Sequence, residues 1–361
     1  SVTKEFFEKY SGLFHNIKES LDKFLSENPV LEKEFESKVI DTADFAKKLL
    51  GQIVFLYFLQ KKGWFGVSRD ADWGTGPKDF LRRLFEKKAV NYENFFNEIL
   101  EPLFYEALAT ERSQDFYSRF NCKIPFLNGG LFDPLNDYDW VHTDVLLPNT
   151  LFSNDRKTKE GDVGGGILDI FDRYNFTVRE DEPLEKEVAV DPEMLGKVFE
   201  NLLEVKDRKS KGTYYTPREI VHYMCQESLI NYLITESGLK EETIRSLVNP
   251  KVLTQEDYHK FRRKGGNKEE VVEGALALWV GEAEKLDKAL ANILVCDPAC
   301  GSGAFLVGML QEIVNARKRL AFALNVTEAM NKSEARAIAN CLYGVDIDPG
   351  AVEIAKLRLW L

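Results

Sequence analysis

The sequence is short of the residues that most metal, redox and covalent chemistry needs, with 4 His, 5 Cys and 4 Met in 361 residues. Cys122, Cys225, Cys296, Cys300 and Cys341 are odd in number and form no CxxC pair, which argues against a disulfide framework or a zinc knuckle and for reduced thiols. His15, His142, His222 and His259 fall at no spacing that suits a metal, so no metal site is expected. No GxxxxGK[ST] segment is present to cradle a nucleoside triphosphate. The longest apolar run, Ile53 to Leu59, is bracketed by lysines and falls well short of the roughly 20 residues a membrane span requires. The opening SVTKEFFEKYSG has neither the basic nor the apolar part of an export signal, so a cytoplasmic protein is expected. Positive charge is also in deficit, 48 Lys and Arg against 59 Asp and Glu, for a net charge of -11. That balance disfavours a surface that grips nucleic acid all over, because phosphate binding needs a basic footprint. Two local footprints remain, Lys206, Arg208, Lys209, Lys211 with Arg218, and Lys260, Arg262, Arg263, Lys264 with Lys268. They read either as phosphate contacts or as solvated loops that balance an acidic chain.

What is present is globular and aromatic, with 44% hydrophobic residues and 25 Phe. Phe6, Tyr10, Leu13, Ile17, Leu21 and Phe24 recur at three- and four-residue steps, the stripe of an amphipathic helix that stops near Asn28-Pro29. A second helical stretch is expected from about Val30 to Lys62, apolar all round in QIVFLYFLQ and so buried, with Gly63 as its stop. Residues 78 to 110 again read as helices, broken at Pro102. The Gly-, Asn-, Asp- and Pro-rich texture from Cys122 to Gly166 suggests irregular connections, with a linker near 153 to 166. Asp191 with Pro192 reads as the capped start of a helix over PEMLGKVFENLLE. Beyond it the apolar runs Ile293 to Cys296 and Leu342 to Val345 each lead into a helix, the alternation of a parallel, doubly wound α/β sheet. The division expected is a helical domain over 1–152, a connector over 153–205 and an α/β domain over 206–361.

Three segments carry chemistry. Asp297-Pro-Ala-Cys-Gly301-Ser-Gly303-Ala-Phe-Leu follows a strand and opens a helix, so its glycines let a ligand approach the backbone at a helix N-terminus. Leu342-Tyr-Gly-Val-Asp346-Ile-Asp348-Pro places a carboxylate at the end of the next strand, where an acceptor can take both hydroxyls of a ribose; Asp348 reads as a plain helix cap. The two acids lie much further apart than the roughly 20 residues of a dinucleotide fingerprint, and the glycines are not GxGxxG, which disfavours a nicotinamide enzyme. In Gly212-Thr-Tyr-Tyr-Thr216-Pro217, Thr216 reads as an N-cap and Pro217 as the first helical residue.

In this order the three segments resemble the adenine-specific DNA methyltransferases of restriction–modification systems. PFLNGGLFDP and DPEMLGKVFENLLE further resemble the connecting region of type IIG enzymes, which join nuclease and methyltransferase in one chain. The resemblance implies a mostly α-helical N-terminal domain followed by the start of a Rossmann-like methyltransferase domain that binds S-adenosylmethionine. Asp297 and the backbone around Ala299, Gly301 and Gly303 would lie at its methionine part, closed by Tyr214 and Thr216; Asp346 would take the ribose hydroxyls and Ile347 would pack on the adenine. Double-stranded DNA is the implied partner, with Lys206, Arg208, Lys209 and Lys211 as a weaker DNA contact. The modification subunits of type I systems share the motifs and need a separate specificity subunit, and a non-catalytic DNA-binding or assembly module could retain the fold.

The family's methyl-acceptor motif, a polar residue followed by Pro-Pro and an aromatic ring, needs a Pro-Pro pair, and none occurs in the 361 residues. The chain therefore reads as an N-terminal, cofactor-binding part with no catalytic residue assigned. Carboxylate-x-Lys triplets of the kind restriction nucleases use, ending at Lys38, Lys88, Lys157, Lys206 and Lys209, are no more frequent than chance placement gives. Cys300 follows Ala299 rather than Pro, which speaks for a small buried loop residue and against a covalent nucleophile.

Overall fold

In a computed structural model the described residues are 2–127, 130–157, 161–177, 189–190, 192–194, 196, 216–249, 281–323 and 340–360. They form two compact units, Ser1–Arg208 with Trp360–Leu361, and Lys209–Leu359.

The first unit is built around the apolar stretch that the sequence marks as buried. Helices α1 (Val2–Glu27), α2 (Pro29–Ser37) and α3 (Thr42–Lys62) open the chain. α3 is buried continuously from Leu49 to Gln60, and its two polar members are satisfied: the Gln52 amide donates to the Leu131 carbonyl at 2.8 Å, and Gln60 Oε1 accepts from the Leu81 N–H at 3.2 Å. α3 ends at Gly63 with φ 73°, the left-handed stop expected of glycine. The expected single helix from Val30 to Lys62 is instead two. Asp41 caps α3 by accepting from the N–H groups of Ala43 and Asp44, while the Ile40 N–H closes α2 onto the Phe35 carbonyl and Val39 takes a φ of 53°. An N-cap inside an apolar pattern restarts the helix where periodicity alone reads straight through.

Pro102 likewise fails to break its segment. After α4 (Phe80–Phe85) the chain winds as π-helix over Phe96–Leu100 and again over Pro102–Leu108, joined through the helical Glu101. A π-turn shifts the hydrogen-bond pattern, so the missing proline N–H is accommodated within continuous winding. The antiparallel pair β1 (Phe116–Tyr117) and β2 (Cys122–Lys123) follows. Then α5 (Ile167–Phe171) and β3 (Asn175–Phe176) return aromatics to the core, β3 pairing in parallel with β4 (Ala189–Val190). Phe171 stacks on Phe6 and Tyr10 at ring separations of 6.0 and 6.2 Å.

The stretch 153–166, whose texture suggests a linker, is held down in its described residues by one carboxylate. Asp169 accepts from Ser153 Oγ, from the N–H groups of Asn154 and Gly166, and from Arg82 at 3.1 Å. Arg82 also binds Asp172 at 2.7 Å, which accepts the Tyr57 hydroxyl at 2.6 Å. The Asp191-capped helix lies largely outside the described residues, which retain Pro192 to Met194 and Gly196 in helical geometry.

The second unit contains α6 (Arg218–Ser237), α7 (Glu241–Val248), α8 (Ala283–Ala291), β5 (Val295–Asp297), α9 (Ala304–Ala323), β6 (Leu342–Gly344) and, as far as Leu359, α10 (Pro349–Trp360). β5 and β6 pair in parallel, with Val295 opposite Leu342 and Asp297 opposite Gly344. One hydrophobic core joins α6, α7, α8 and α9 through Cys225, Leu229, Leu233, Ile244, Leu286 and Ile313. The result is a helical first unit and a strand–helix–strand second unit. No helix among the described residues is long and apolar enough to cross a membrane.

Candidate functional site

The glycine loop runs from the end of β5 to the start of α9, and its first half is fastened to the segment that follows β6. The Val345 N–H donates to the Asp297 carbonyl, and the Cys300 N–H donates back to the Val345 carbonyl, each at 2.9 Å. Gly301 and Gly303 adopt φ 51° and 83°, conformations that side chains resist. At Gly303 a Cβ would also sit 2.8 Å from that of Ala355, so this glycine sets how closely α9 and α10 approach. The Arg358 guanidinium, buried on α10, donates to the Ser302 carbonyl at 3.0 Å and holds the loop from beneath.

Two strand-end carboxylates flank this loop. Asp346 accepts the Gly301 N–H at 2.8 Å on Oδ2 and the Asp348 N–H at 2.8 Å on Oδ1, so it clasps the loop to β6. Asp297 uses Oδ1 to accept from the Ala299 N–H at 3.1 Å, while its Oδ2 is buried with no hydrogen-bond partner among the described residues. A buried carboxylate oxygen without a donor is costly, and the site would be relieved by a cationic or N–H donor arriving beside the loop. Asp348 accepts the Gly350 N–H at 2.9 Å and so caps α10, as its position suggests. Ile347 is 82% exposed, an apolar side chain left in solvent beside Asp346.

Cys300 is buried, and burial, with help from Asp297 and Asp346, pushes its thiol up to about 11. It is a protonated packing residue and a poor nucleophile, in line with its neighbours in sequence. Among the described residues no group of His, Cys, Asp and Glu is placed to hold a metal ion.

At the entry to α6 the structure corrects the capping scheme. Pro217, with ψ 142°, occupies the cap position and α6 begins at Arg218; the Pro217 carbonyl accepts the N–H groups of Ile220 and Val221, and no side chain among the described residues caps the helix. The extended ψ of Pro217 moves the start one residue on and leaves Thr216 outside it. Tyr214, and the basic residues Lys206, Arg208, Lys209 and Lys211, lie outside the described residues.

Sequence reasoning places Asp297, Ala299, Gly301, Gly303, Asp346 and Ile347 on one loop and its partner strand, and the structure brings them together there. It misses Arg358 and the buried Glu312. The signal available for Arg358 is a lone charge inside the otherwise apolar last turns of α10, LRLW.

The site is a parallel strand pair whose glycine loop lies between two carboxylates. Residues 275–361 match the family model described as MmeI, DNA-methyltransferase domain. The similarity is to the methyltransferases of restriction–modification systems, the class its motifs suggest. Over its whole length it is similar to a putative type II restriction enzyme and methyltransferase of Methanocaldococcus jannaschii, 31% identical over 393 aligned positions, and it spans 29% of that relative's length. The solved structure of the type IIL restriction–modification enzyme MmeI in complex with DNA aligns with 98% of the chain and 35% of its own, at 14% identity and a TM-score of 0.49.

Proposed function

We propose that this chain is the cofactor-binding part of an S-adenosylmethionine-dependent DNA methyltransferase that modifies the exocyclic amino group of adenine in a specific sequence, within a cytoplasmic restriction–modification enzyme that also carries an endonuclease. The observation that carries the reading is the pairing of two strand-end acids across the glycine loop, one with a buried oxygen awaiting a donor. When bound, S-adenosylmethionine supplies an activated methyl group. Asp297 Oδ2 would accept from its α-ammonium group, the backbone at Ala299, Gly301 and Gly303 would border the methionine part, and Tyr214 and Thr216 would close on it. Asp346 keeps lone pairs beyond its two backbone bonds for the ribose hydroxyls, and the exposed Ile347 offers the adenine an apolar surface. No residue of the chain is assigned a role in methyl transfer itself.

In this reading residues 206–361 form the first part of the methyltransferase domain, residues 1–152 are a helical domain, and residues 153–205 are the connector. Lys206, Arg208, Lys209 and Lys211 are proposed to meet DNA phosphates; reversing their charge should lower DNA affinity and reduce its salt dependence. The name of the curated relative, which joins restriction enzyme and methyltransferase, favours one fused enzyme over a separate modification subunit.

The decisive test is calorimetric titration of S-adenosylmethionine into the 361-residue chain and into its Asp297→Asn and Asp346→Ala variants. Saturable binding by the parent that both substitutions weaken supports the reading. A folded parent chain that takes up no cofactor would overturn it in favour of a non-catalytic DNA-binding or assembly module.

A further inference from the structure

Glu312 is a charged residue only 4% exposed, on the third turn of α9, and nothing in the cofactor site calls for it there. A buried carboxylate is tolerated only where donors surround it. Its donors come from α6: His222 Nδ1 at 3.0 Å and the Gln226 amide at 3.1 Å, both on Oε1. His222 in turn faces Arg218 Nε at 3.3 Å through its Nε2. A guanidinium can only donate, so Nε2 carries the lone pair, and the hydrogen resides on Nδ1, where it is donated to Glu312. The imidazole thus relays hydrogen bonding from the Arg218 guanidinium to the buried Glu312 carboxyl group.

Arg218 stands in the first turn of α6, where the helix dipole disfavours a positive charge. Its hydrogen bond to His222 gives it a structural part that reaches beyond the helix to Glu312. Around the chain the two helices are in intimate contact. A Cβ at Gly308 would lie 2.7 Å from Val221 Cγ1 and 3.3 Å from Cys225 Sγ, and the Cys225 thiol donates to the Phe305 carbonyl at 3.6 Å. The early turns of α6, which follow the Thr216-Pro217 entry, are therefore seated on the early turns of α9, which follow the glycine loop.

We propose that Arg218, His222, Gln226 and Glu312 form a positioning cluster that makes the entry of α6 and the glycine loop at the start of α9 move as one body. The cluster rests on the cofactor reading in its purpose, since those two helix entries carry the segments proposed to close on S-adenosylmethionine, but its mechanical content holds in the ligand-free chain. None of the four residues touches the cofactor in this scheme; they act through the helices they join.

The test uses the 361-residue chain without ligand and then with S-adenosylmethionine. Imidazole NMR should show one histidine whose Nδ1 hydrogen is held in a hydrogen bond, and His222→Gln should remove that signal. Glu312→Gln should raise amide exchange at residues 218–222 and 300–304 together, on the order of tenfold, with α7 and α8 unchanged. Calorimetry should show cofactor affinity falling on the order of tenfold, the size of an ordinary coupling between sites. His222→Gln, which cuts the same link from its more exposed end, should repeat the exchange pattern and serves if Glu312→Gln does not fold. Exchange that rises at α6 alone, or evenly through the unit, would overturn the proposal, as would unchanged affinity in a variant whose parent binds. A parent that does not bind S-adenosylmethionine removes the cofactor reading, and the exchange pattern still decides the cluster.

Discussion

Glu101 joins the two π-wound segments of the first unit and is fully buried, which makes its proton a measurable part of the stability of that unit. Its carboxyl group accepts from the Tyr138 hydroxyl and, at 3.0 Å, from the Asn97 amide. Burial pushes it up to about 8 from an ordinary 4.5, against the pull of those two hydrogen bonds and with a small push from Asp144. The folded chain therefore binds this proton more tightly than the unfolded chain does. Its stabilising contribution is complete below pH 4.5, falls as pH rises, and is gone above pH 8. At about 1.4 kcal/mol per pH unit the whole effect is on the order of 5 kcal/mol. Glu101→Gln preserves the shape of the protonated side chain and does not titrate. The stability difference between variant and parent should shift in favour of the variant by about 3.5 kcal/mol between pH 5 and pH 8. Urea denaturation followed by tryptophan fluorescence reads this directly, because Trp140 lies 5.6 Å from Tyr105 in the same aromatic cluster. All other titrating groups cancel in the difference. A difference that is equal at the two pH values would refute the argument that Glu101 retains a proton in the fold.

Three further outcomes follow from particular contacts. Gly303→Ala places a side chain at φ 83° and against Ala355, and should cost about 1–3 kcal/mol in thermal denaturation. Asp169→Ala removes the acceptor that gathers Ser153, Asn154, Gly166 and Arg82, so tryptic cleavage at Arg156 should accelerate markedly while the rest of the helical unit stays protected. Iodoacetamide at pH 8 should label the folded chain at the exposed Cys296 alone, since the other four thiols are buried and burial pushes those of Cys122 and Cys225 up to about 12. Rapid labelling of several cysteines in the folded chain would contradict that packing.

The features legible in the sequence are those set by local stereochemistry. Gly63 as a stop, Asp348 as a cap and the two glycines of the loop each satisfy a backbone requirement that residue type announces. Where reading fails, a non-local contact or a neighbouring cap decides. Pro102 breaks nothing because π-winding absorbs it, and the continuous pattern from Val30 to Lys62 is cut by the Asp41 cap that periodicity ignores. Within 153–166 the Ser153 hydroxyl and the N–H groups of Asn154 and Gly166 serve the Asp169 carboxylate, contacts that composition does not announce. The partners of Glu312 and Arg358 are hidden for the same reason: they lie on other elements, 90 residues away for His222 and 56 for Ser302.

The two acids of the site differ in what a substitution at each can teach. Asp346 is spent twice on the loop itself, holding the N–H of Gly301 and the N–H of Asp348. Its removal frees two buried-side donors as well as any ligand contact, so lost binding in Asp346→Ala combines an altered loop with an absent acceptor. Asp297 Oδ2 holds nothing within the described residues, while Oδ1 alone serves the Ala299 N–H. Asp297→Asn keeps the shape of the side chain and an oxygen for Ala299, a change expected to leave stability about equal. Affinity for a cationic ligand group should nonetheless fall by about tenfold or more, since a charge-assisted hydrogen bond becomes an unfavourable meeting of donors. Stability held while binding falls is a combination that packing alone does not produce, and it makes Asp297 the sharper probe of whether the loop was shaped around a ligand.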